Sequence, residues 1–440
     1  MNTSKTIDHA LPNRERVKHE ESLRKSWYAL FVLTMINSAH YLDRTVVSIV
    51  IEPIKAEFAL SDGQLGLLTG LFYGVTFALA GIPLGILVDR VSRKKLMTIL
   101  VLTWSGCTAL GGLAQNFTHL ALARMGVGAA EAGGSPTSMS LISDFFPPNL
   151  RSSAMGIFFL SMAVGGAMSA FIGSFVASNY GWRAAFFIAS VPGVVFALLF
   201  FFTVREPRRG ATDPVSKTSE TAVAPTLKET FNFIRSQKAL VHLFIAMPLA
   251  VMAISAISAW LVAFFMRSHT MSLENASILA GITFGAFAAF GSLMGGVLAD
   301  YFGRHTPSKR LIFVGIVSLI GVPLAVVAIL VDNTYLAVGS WFALAAVSFA
   351  TVAPTFSCTV TLAKPKMRGV TLAALQVVVN LIGYGVAPFL VGTLSDWYGG
   401  GESLRYALLT VIAGTLGWAM LHFFASARHF ENDTERAREL

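Results

Sequence analysis

Apolar runs of roughly 20 residues, the length a helix needs to cross a bilayer core, follow one another almost without pause along this chain. Twelve can be marked among its 440 residues: about 27–50, 64–88, 96–115, 118–143, 151–178, 183–203, 239–266, 276–299, 310–331, 334–362, 368–395 and 404–426. In hydrocarbon every backbone N–H and C=O must be satisfied internally, so runs of this length have to be helices. The reading is an all-α membrane protein of 12 transmembrane helices. Composition agrees. Hydrophobic residues make up 54% and charged residues only 13%, where a soluble domain carries about 25% charged residues.

The formal charge is +9. The basic residues sit in short loops between apolar runs and form no stripe on an exposed fold, which argues against nucleic acid. Their sides are unequal. With twelve spans, 27 of the 33 lysines and arginines fall on the side of both termini, four on the other side and two inside spans. Positive loops face the cytoplasm, so both termini are expected there, in a cell inner (plasma) membrane. Residues 1–26 are polar, with neither an apolar core nor a small-residue cleavage site. They are expected to stay as a cytoplasmic segment, with the first span as an uncleaved insertion signal. Cys107 and Cys358 lie in apolar runs without metal-type spacing; both read as small packing groups. No metal or cofactor site is expected.

Residues 204–238 are rich in Pro, Ser and Thr and divide the chain into two six-span parts, 27–203 and 239–426, followed by a tail at 427–440. A short surface helix is expected near 226–236. The parts repeat a pattern: GILVDRVSRKK follows the second span and GVLADYFGRH the eighth, with Asp89 and Asp300 211 residues apart. Duplicated halves are a transporter architecture, with substrate bound near mid-membrane between them.

Four ionisable residues lie inside spans: Asp43 and Arg44 in the first, Arg124 and Glu131 in the fourth. Such groups are costly at membrane depth and mark function by default. At 1.5 Å per residue, Asp43 stands about 24 Å from the cytoplasmic end of its span and Arg124 about 9 Å from the outer end of its own, so their depths match. Glu131 follows two turns deeper on the same face. A carboxylate gains or loses a proton as burial and partners change, whereas arginine stays charged. Asp43 and Glu131 are therefore the expected proton sites, and Arg44 and Arg124 their partners or an anion grip. The plain alternative is a static ion-pair cluster; apolar side chains would serve packing as well.

Other polar groups in the spans are candidate cavity residues: Asn37, Tyr41, Ser48, Ser135, Thr137, Trp260, Gln376, Asn380 and Tyr384. Any single one reads first as an interhelical hydrogen-bond group and second as a substrate ligand. His40, one turn from Arg44, is either a proton relay or a packing group, and His242 is similar. Glycines at helix-contact spacing (Gly66, Gly70, Gly74, then Gly81 and Gly85) permit close packing of the second span.

Gly85-x-Leu87-x-Asp89-Arg90-x-x-Arg93-Lys94, with Ser92 where a glycine is usual, and Arg124-x-x-x-Gly128 resemble two signature motifs of the major facilitator superfamily. YLDRTVVSIVIEPIKAEFALSDGQLGLLTG, LARMGVGAAEAGGSPTSMSLISDFFP and TVREP resemble its Spinster branch. That branch is associated in animals with proton-linked export of lysolipids and sphingolipid-type amphiphiles. The Asp-Arg pair in the first span, with Arg and Glu in the fourth, is similar to organic-anion symporters of the superfamily. The resemblance implies the two pseudo-symmetric six-helix bundles of that fold. It also implies a gate: Asp89 docks at the start of the eleventh span, Arg90, Arg93 and Arg151 complete its charge cluster, and Asp300 with Arg304 repeats it in the other half.

The expected function is a proton-coupled transporter of a lipid-like or amphipathic anion. A small organic anion and multidrug efflux are the alternatives. No Gly-x-x-x-x-Gly-Lys-Ser/Thr run supports direct ATP drive. No His-Glu-x-x-His or Gly-x-Ser-x-Gly motif supports an enzyme. The expected partners are the proton gradient, the substrate and membrane lipids, with the protein a monomer.

Overall fold

The computed structural model describes residues 13–211 and 226–439. Twelve helical rods run up and down: α1 (Asn13–Ile49), α2 (Asp62–Arg90), α3 (Arg93–Gly112), α4 (Phe117–Glu131, resuming as Gly134–Phe145), α5 (Ser153–Tyr180, entered through Pro148), α6 (Trp182–Thr203), α7 (Lys238–Ser268), α8 (Leu273–Phe302), α9 (Lys309–Leu330), α10 (Thr334–Leu362), α11 (Arg368–Tyr398) and α12 (Ser403–Glu439). Nine of them, all but α1, α3 and α4, are long and apolar enough by themselves to cross a membrane. The other three have visible reasons: α1 carries Asp43 and Arg44, α4 is broken after Glu131 into pieces of 15 and 12 residues, and α3 opens on Arg93-Lys94-Lys95. The end of the molecule that carries α1's start and α12's finish is called here the terminal face, and the opposite end the distal face.

Local sequence sets the rod ends. Ser61 and Gln64 form a capping box at the start of α2, which satisfies two orphan donors reciprocally. Ser92, Asn116, Ser272 and Asn333 cap α3, α4, α8 and α10. Gly181, at φ +86°, makes the tight distal turn between α5 and α6, where a side chain would be strained. The linker positions 212–225 and the start of the 1–26 segment lie outside the described residues. Leu227–Ser236 is an amphipathic helix with Phe233 and Ile234 buried. Residues 427–439, read from sequence as a tail, continue α12 as helix. There Asp433 accepts the Ala239 N–H at 2.7 Å and Glu431 the Ser308 N–H at 3.1 Å. Two acids on one turn thus close the helix starts of α7 and α9, where negative charge is favoured.

The core is shared at one end and divided at the other. Towards the distal face one apolar cluster takes residues from both halves, among them Leu42, Val46, Leu68, Trp182, Trp260, Phe264, Val391 and Leu408. Towards the terminal face there are separate clusters, one built only from α1–α6 and their flanks and one only from α7–α12 and theirs. The α2 glycines show the same division. A Cβ on Gly66, Gly70 or Gly74 would fall 2.4–2.8 Å from backbone atoms of Pro388 and Gly385 on α11, while one on Gly81 or Gly85 would meet nothing within 4 Å. All five share one face of α2. The α5–α8 seam repeats this, with Gly281 tight against Ala170 and Gly156 open. The molecule is therefore closed distally and cleft terminally.

Candidate functional site

Each of the four rods along the seams between halves contains one stretch of wider, π-helical pitch: 67–71 in α2, 169–173 in α5, 283–287 in α8 and 379–386 in α11. Such stretches are rare and gather at functional sites. The α2 and α11 stretches touch each other. The charged residues of α1 and α4 lie behind this crossing.

All of them are inside protein. Asp43, Arg124 and Glu131 are buried to within 2% exposure, and Arg44 is half-buried. Arg124 does meet α1 at the depth expected, but through different atoms. Its Nη1 donates to the backbone carbonyl of Asp43 at 3.2 Å, Nη2 to that of Arg44 at 3.3 Å and Nε to that of Leu68 on α2 at 3.3 Å. The Asp43 carboxylate has no aligned hydrogen bond; the Thr108 hydroxyl of α3 is beside it. Glu131 faces His40, whose Nε2 is 2.9 Å from Oε2. Behind His40, Nδ1 contacts Asn37 Oδ1 at 3.3 Å, and Asn37 Nδ2 donates to Ser161 Oγ at 2.6 Å.

Arg44 has no ion-pair partner among the described residues. Its guanidinium lies between two aromatic faces, 4.7 Å from the Tyr73 centroid on α2 and 4.2 Å from the Tyr384 centroid on α11. Stacked guanidinium keeps its donors free for an anion. Next to it, Tyr41, Thr45 and Ser48 open onto a cavity walled by Ile49, Met162, Val262 and Phe284 from α1, α5, α7 and α8. The cavity is small, about 50 Å³, room for part of a ligand.

The remaining candidates separate. Trp260 is buried and donates to Pro388 O at 3.1 Å, joining α7 to α11. Thr137 turns back to its own helix at Gly133 O, 2.7 Å away. Asn380 is buried and donates to Gln376 O, while Gln376 is exposed and Ser135 half-buried. Tyr384, within the π-helical stretch of α11, lies against Arg44. His242 pairs with His422 on α12, Nδ1 to Nδ1 at 2.9 Å.

At the terminal face the loop charges are spread apart. Asp89 is 83% exposed and 3.8 Å from Arg209. Asp300 is 72% exposed and 3.0 Å from Arg310. Arg90 is exposed, Arg304 rests on its neighbour Tyr301, and Arg151 donates to Phe146 O. Arg93 lies elsewhere: 1% exposed, it is pinned to Asp144 and Ser140 of the first half and to Glu206 and Pro207 O at the start of the linker. Burial raises the Glu206 pKa, but donors from Ser92 and from the Arg93 and Lys94 backbone outweigh it and hold this carboxyl below its usual range.

Sequence reasoning missed the distal closure. Arg267 at the end of α7 reaches across to Glu52 at 2.6 and 2.9 Å and to Asp62 at 2.7 and 2.9 Å. Lys55 and Ser395 also hold Asp62, at 2.6 and 2.7 Å. Asp396 on α11 accepts the N–H groups of Asp62 and Gly63 at the start of α2, at 2.9 and 2.7 Å. The available signal was that Arg267 is one of only four basic residues on that side, within reach of an acid-bearing loop.

The model of the Major Facilitator Superfamily matches residues 33–388. The chain belongs to that superfamily. It is 30% identical over 421 residues to an MFS-type efflux pump of Mycolicibacterium smegmatis, covering 94% of this chain and 96% of the relative. It is 28% identical over 469 residues to human protein spinster homolog 1, covering 97% and 86%. It superposes with a TM-score of 0.80 and 27% identity on the crystal structure of a bacterial homolog to the human lysosomal transporter Spinster, in an inward-facing and unoccupied conformation, covering 94% and 98%. This is a Spinster-like multi-pass secondary transporter of the major facilitator fold, from a family of transporters and not of enzymes, and it carries a small-molecule substrate.

Proposed function

We propose that this Spinster-like transporter moves a lipid-like or amphipathic anion by alternating access, coupled to protons through Asp43 and Glu131. The observation that carries the reading is Arg44: an unpaired guanidinium held by Tyr73 from one half and Tyr384 from the other, beside an apolar cavity. An anionic headgroup satisfies the cation, and its chain takes the wall of Met162, Val262 and Phe284. Because the two tyrosines belong to opposite halves, binding there is felt by both.

The terminal face is the cytoplasmic one in this reading, in a plasma membrane, and the structure is then the inward-open state of a monomer. The halves are 27–203 and 239–426, joined by the linker 204–238. Asp89, Arg90 and Arg151, with Asp300 and Arg304, come together when the terminal cleft shuts. Arg93 supports them by holding the α2–α3 corner.

The test is uptake of lysophosphatidylglycerol into proteoliposomes with and without a pH gradient, beside gluconate and ethidium. Gradient-driven movement of the lysolipid, lost in Arg44→Ala, supports the reading. Gluconate transport alone replaces it with a small-anion symporter. Ethidium transport alone replaces it with drug efflux, which the efflux-pump relative and the apolar wall favour as the second reading.

A further inference from the structure

We infer that His40 and Glu131 together hold one proton in this conformation, and that a hydrogen-bond chain ending on α5 dictates it. The chain can be followed donor by donor. Ser161 has one hydroxyl hydrogen, and it goes to the Phe158 carbonyl at 2.5 Å, at the break in α5 around Leu160. Its oxygen is left to accept, so the Asn37 atom 2.6 Å away is the amide nitrogen. The Asn37 oxygen then faces His40 Nδ1 at 3.3 Å. Nδ1 must carry a hydrogen, which leaves Nε2 bare in a neutral imidazole.

Nε2 lies 2.9 Å from Glu131 Oε2, and both atoms are buried without an aligned hydrogen-bond partner. Two electron-rich atoms at that separation repel. One proton on the pair removes the conflict, whether it rests as imidazolium beside carboxylate or as carboxylic acid beside imidazole. Around the pair, Tyr41 and Arg44 of α1, Tyr73 of α2 and Arg124 of α4 face Glu131, with Asp43 coupled to it. Trp104 of α3 covers the His40 ring at 6.0 Å.

Ser161 is the lever. It sits on α5, which packs against α8 of the opposite half. If α5 shifts and Asn37 is released, the amide can turn over. His40 can then take the Nε2–H tautomer, which sets the positive edge of a neutral ring beside an ionised Glu131 without any extra proton. The pair therefore binds a proton with the chain made and yields it with the chain broken. Its role in transport rests on the proton-coupling reading above, whereas the proton itself is read from geometry.

The test is ring-nitrogen NMR of ¹⁵N-histidine-labelled full-length protein in lipid nanodiscs. The His40 signal is identified by its loss in His40→Asn, or in His40→Gln should the first variant not fold. Wild type is expected to show a protonated Nδ1 together with a proton on or shared by Nε2. In Glu131→Gln, Nε2 shifts to the bare position while Nδ1 stays protonated. Adding Ser161→Ala to that variant releases the lock and gives mixed tautomers. A bare Nδ1 in wild type, or identical spectra for wild type and Glu131→Gln, overturns the inference even if transport stays proton-driven. A matching spectrum with lysolipid uptake indifferent to pH in Glu131→Gln and wild type alike overturns the coupling reading instead.

Discussion

Arg124 shows how a charge is kept inside a membrane protein without a counter-ion in contact. Three backbone carbonyls from two helices take its donors, and neither the Glu131 nor the Asp43 carboxylate takes a hydrogen bond from it. Two outcomes follow at this scale. Glu131→Gln is expected to abolish the pH dependence of lysolipid transport in proteoliposomes while leaving counterflow exchange intact. Arg44→Ala is expected to weaken anion binding by about 30-fold, taking about 2 kcal/mol for a charge-assisted contact; Arg44→Lys restores only part of it, because an ammonium cannot stack between Tyr73 and Tyr384 as a plane does. Titration of lysophosphatidylglycerol against the purified variants measures both. The sequence made these residues legible because helix rise alone fixes depth, and it put Asp43 and Arg124 level. It left their partners open, since the choice between a carboxylate and a carbonyl is made by side-chain direction across helices that are remote in sequence. His40 stayed ambiguous for the same reason: its meaning depends on Ser161, 121 residues away.

Among the elements, the glycine face of α2 and the corner held by Arg93 carry the sharpest expectations. Gly70→Val places a side chain where Gly385 O already lies 2.5 Å from the Cβ position. It is expected to prise the distal ends apart and lengthen the distance between spin labels at Gln115 and Tyr335; Gly81→Ala, facing open space, leaves that distance unchanged. The corner responds to acid. Glu206 has its carboxyl pKa depressed in the folded protein, so its stabilisation is complete above the ordinary carboxylate range and is lost as pH falls through the folded value. Glu206→Gln is therefore expected to lower Tm at pH 7 and to match wild type at strongly acid pH in thermal-shift scans. The helix-contact spacing of the glycines was plain in the sequence; which of them touch was not, because that depends on the conformation adopted. The π-helical stretches left no mark at all, and one of them holds Asn380 and Tyr384.

For the whole molecule, the repeat of GILVDRVSRKK and GVLADYFGRH and the uneven spread of basic loops made two halves legible. Their present posture is set by the distal knot around Arg267, which no motif announces. Removing one side of a buried ion pair costs about 3–5 kcal/mol, and Asp62 is only 4% exposed beneath this guanidinium. Lys55 still holds Asp62, so Arg267→Ala is expected to move the population towards a distally open form by about 150-fold, the lower end of that cost, read as the same spin-label distance lengthening. The division of the apolar core has a further result. Each half keeps a complete interior of its own at the terminal end, so swinging the two arms does not expose either one's oily centre to water. The travel between states then amounts to unzipping one narrow seam and zipping another, and a bound ligand has only the balance between two seams to tip.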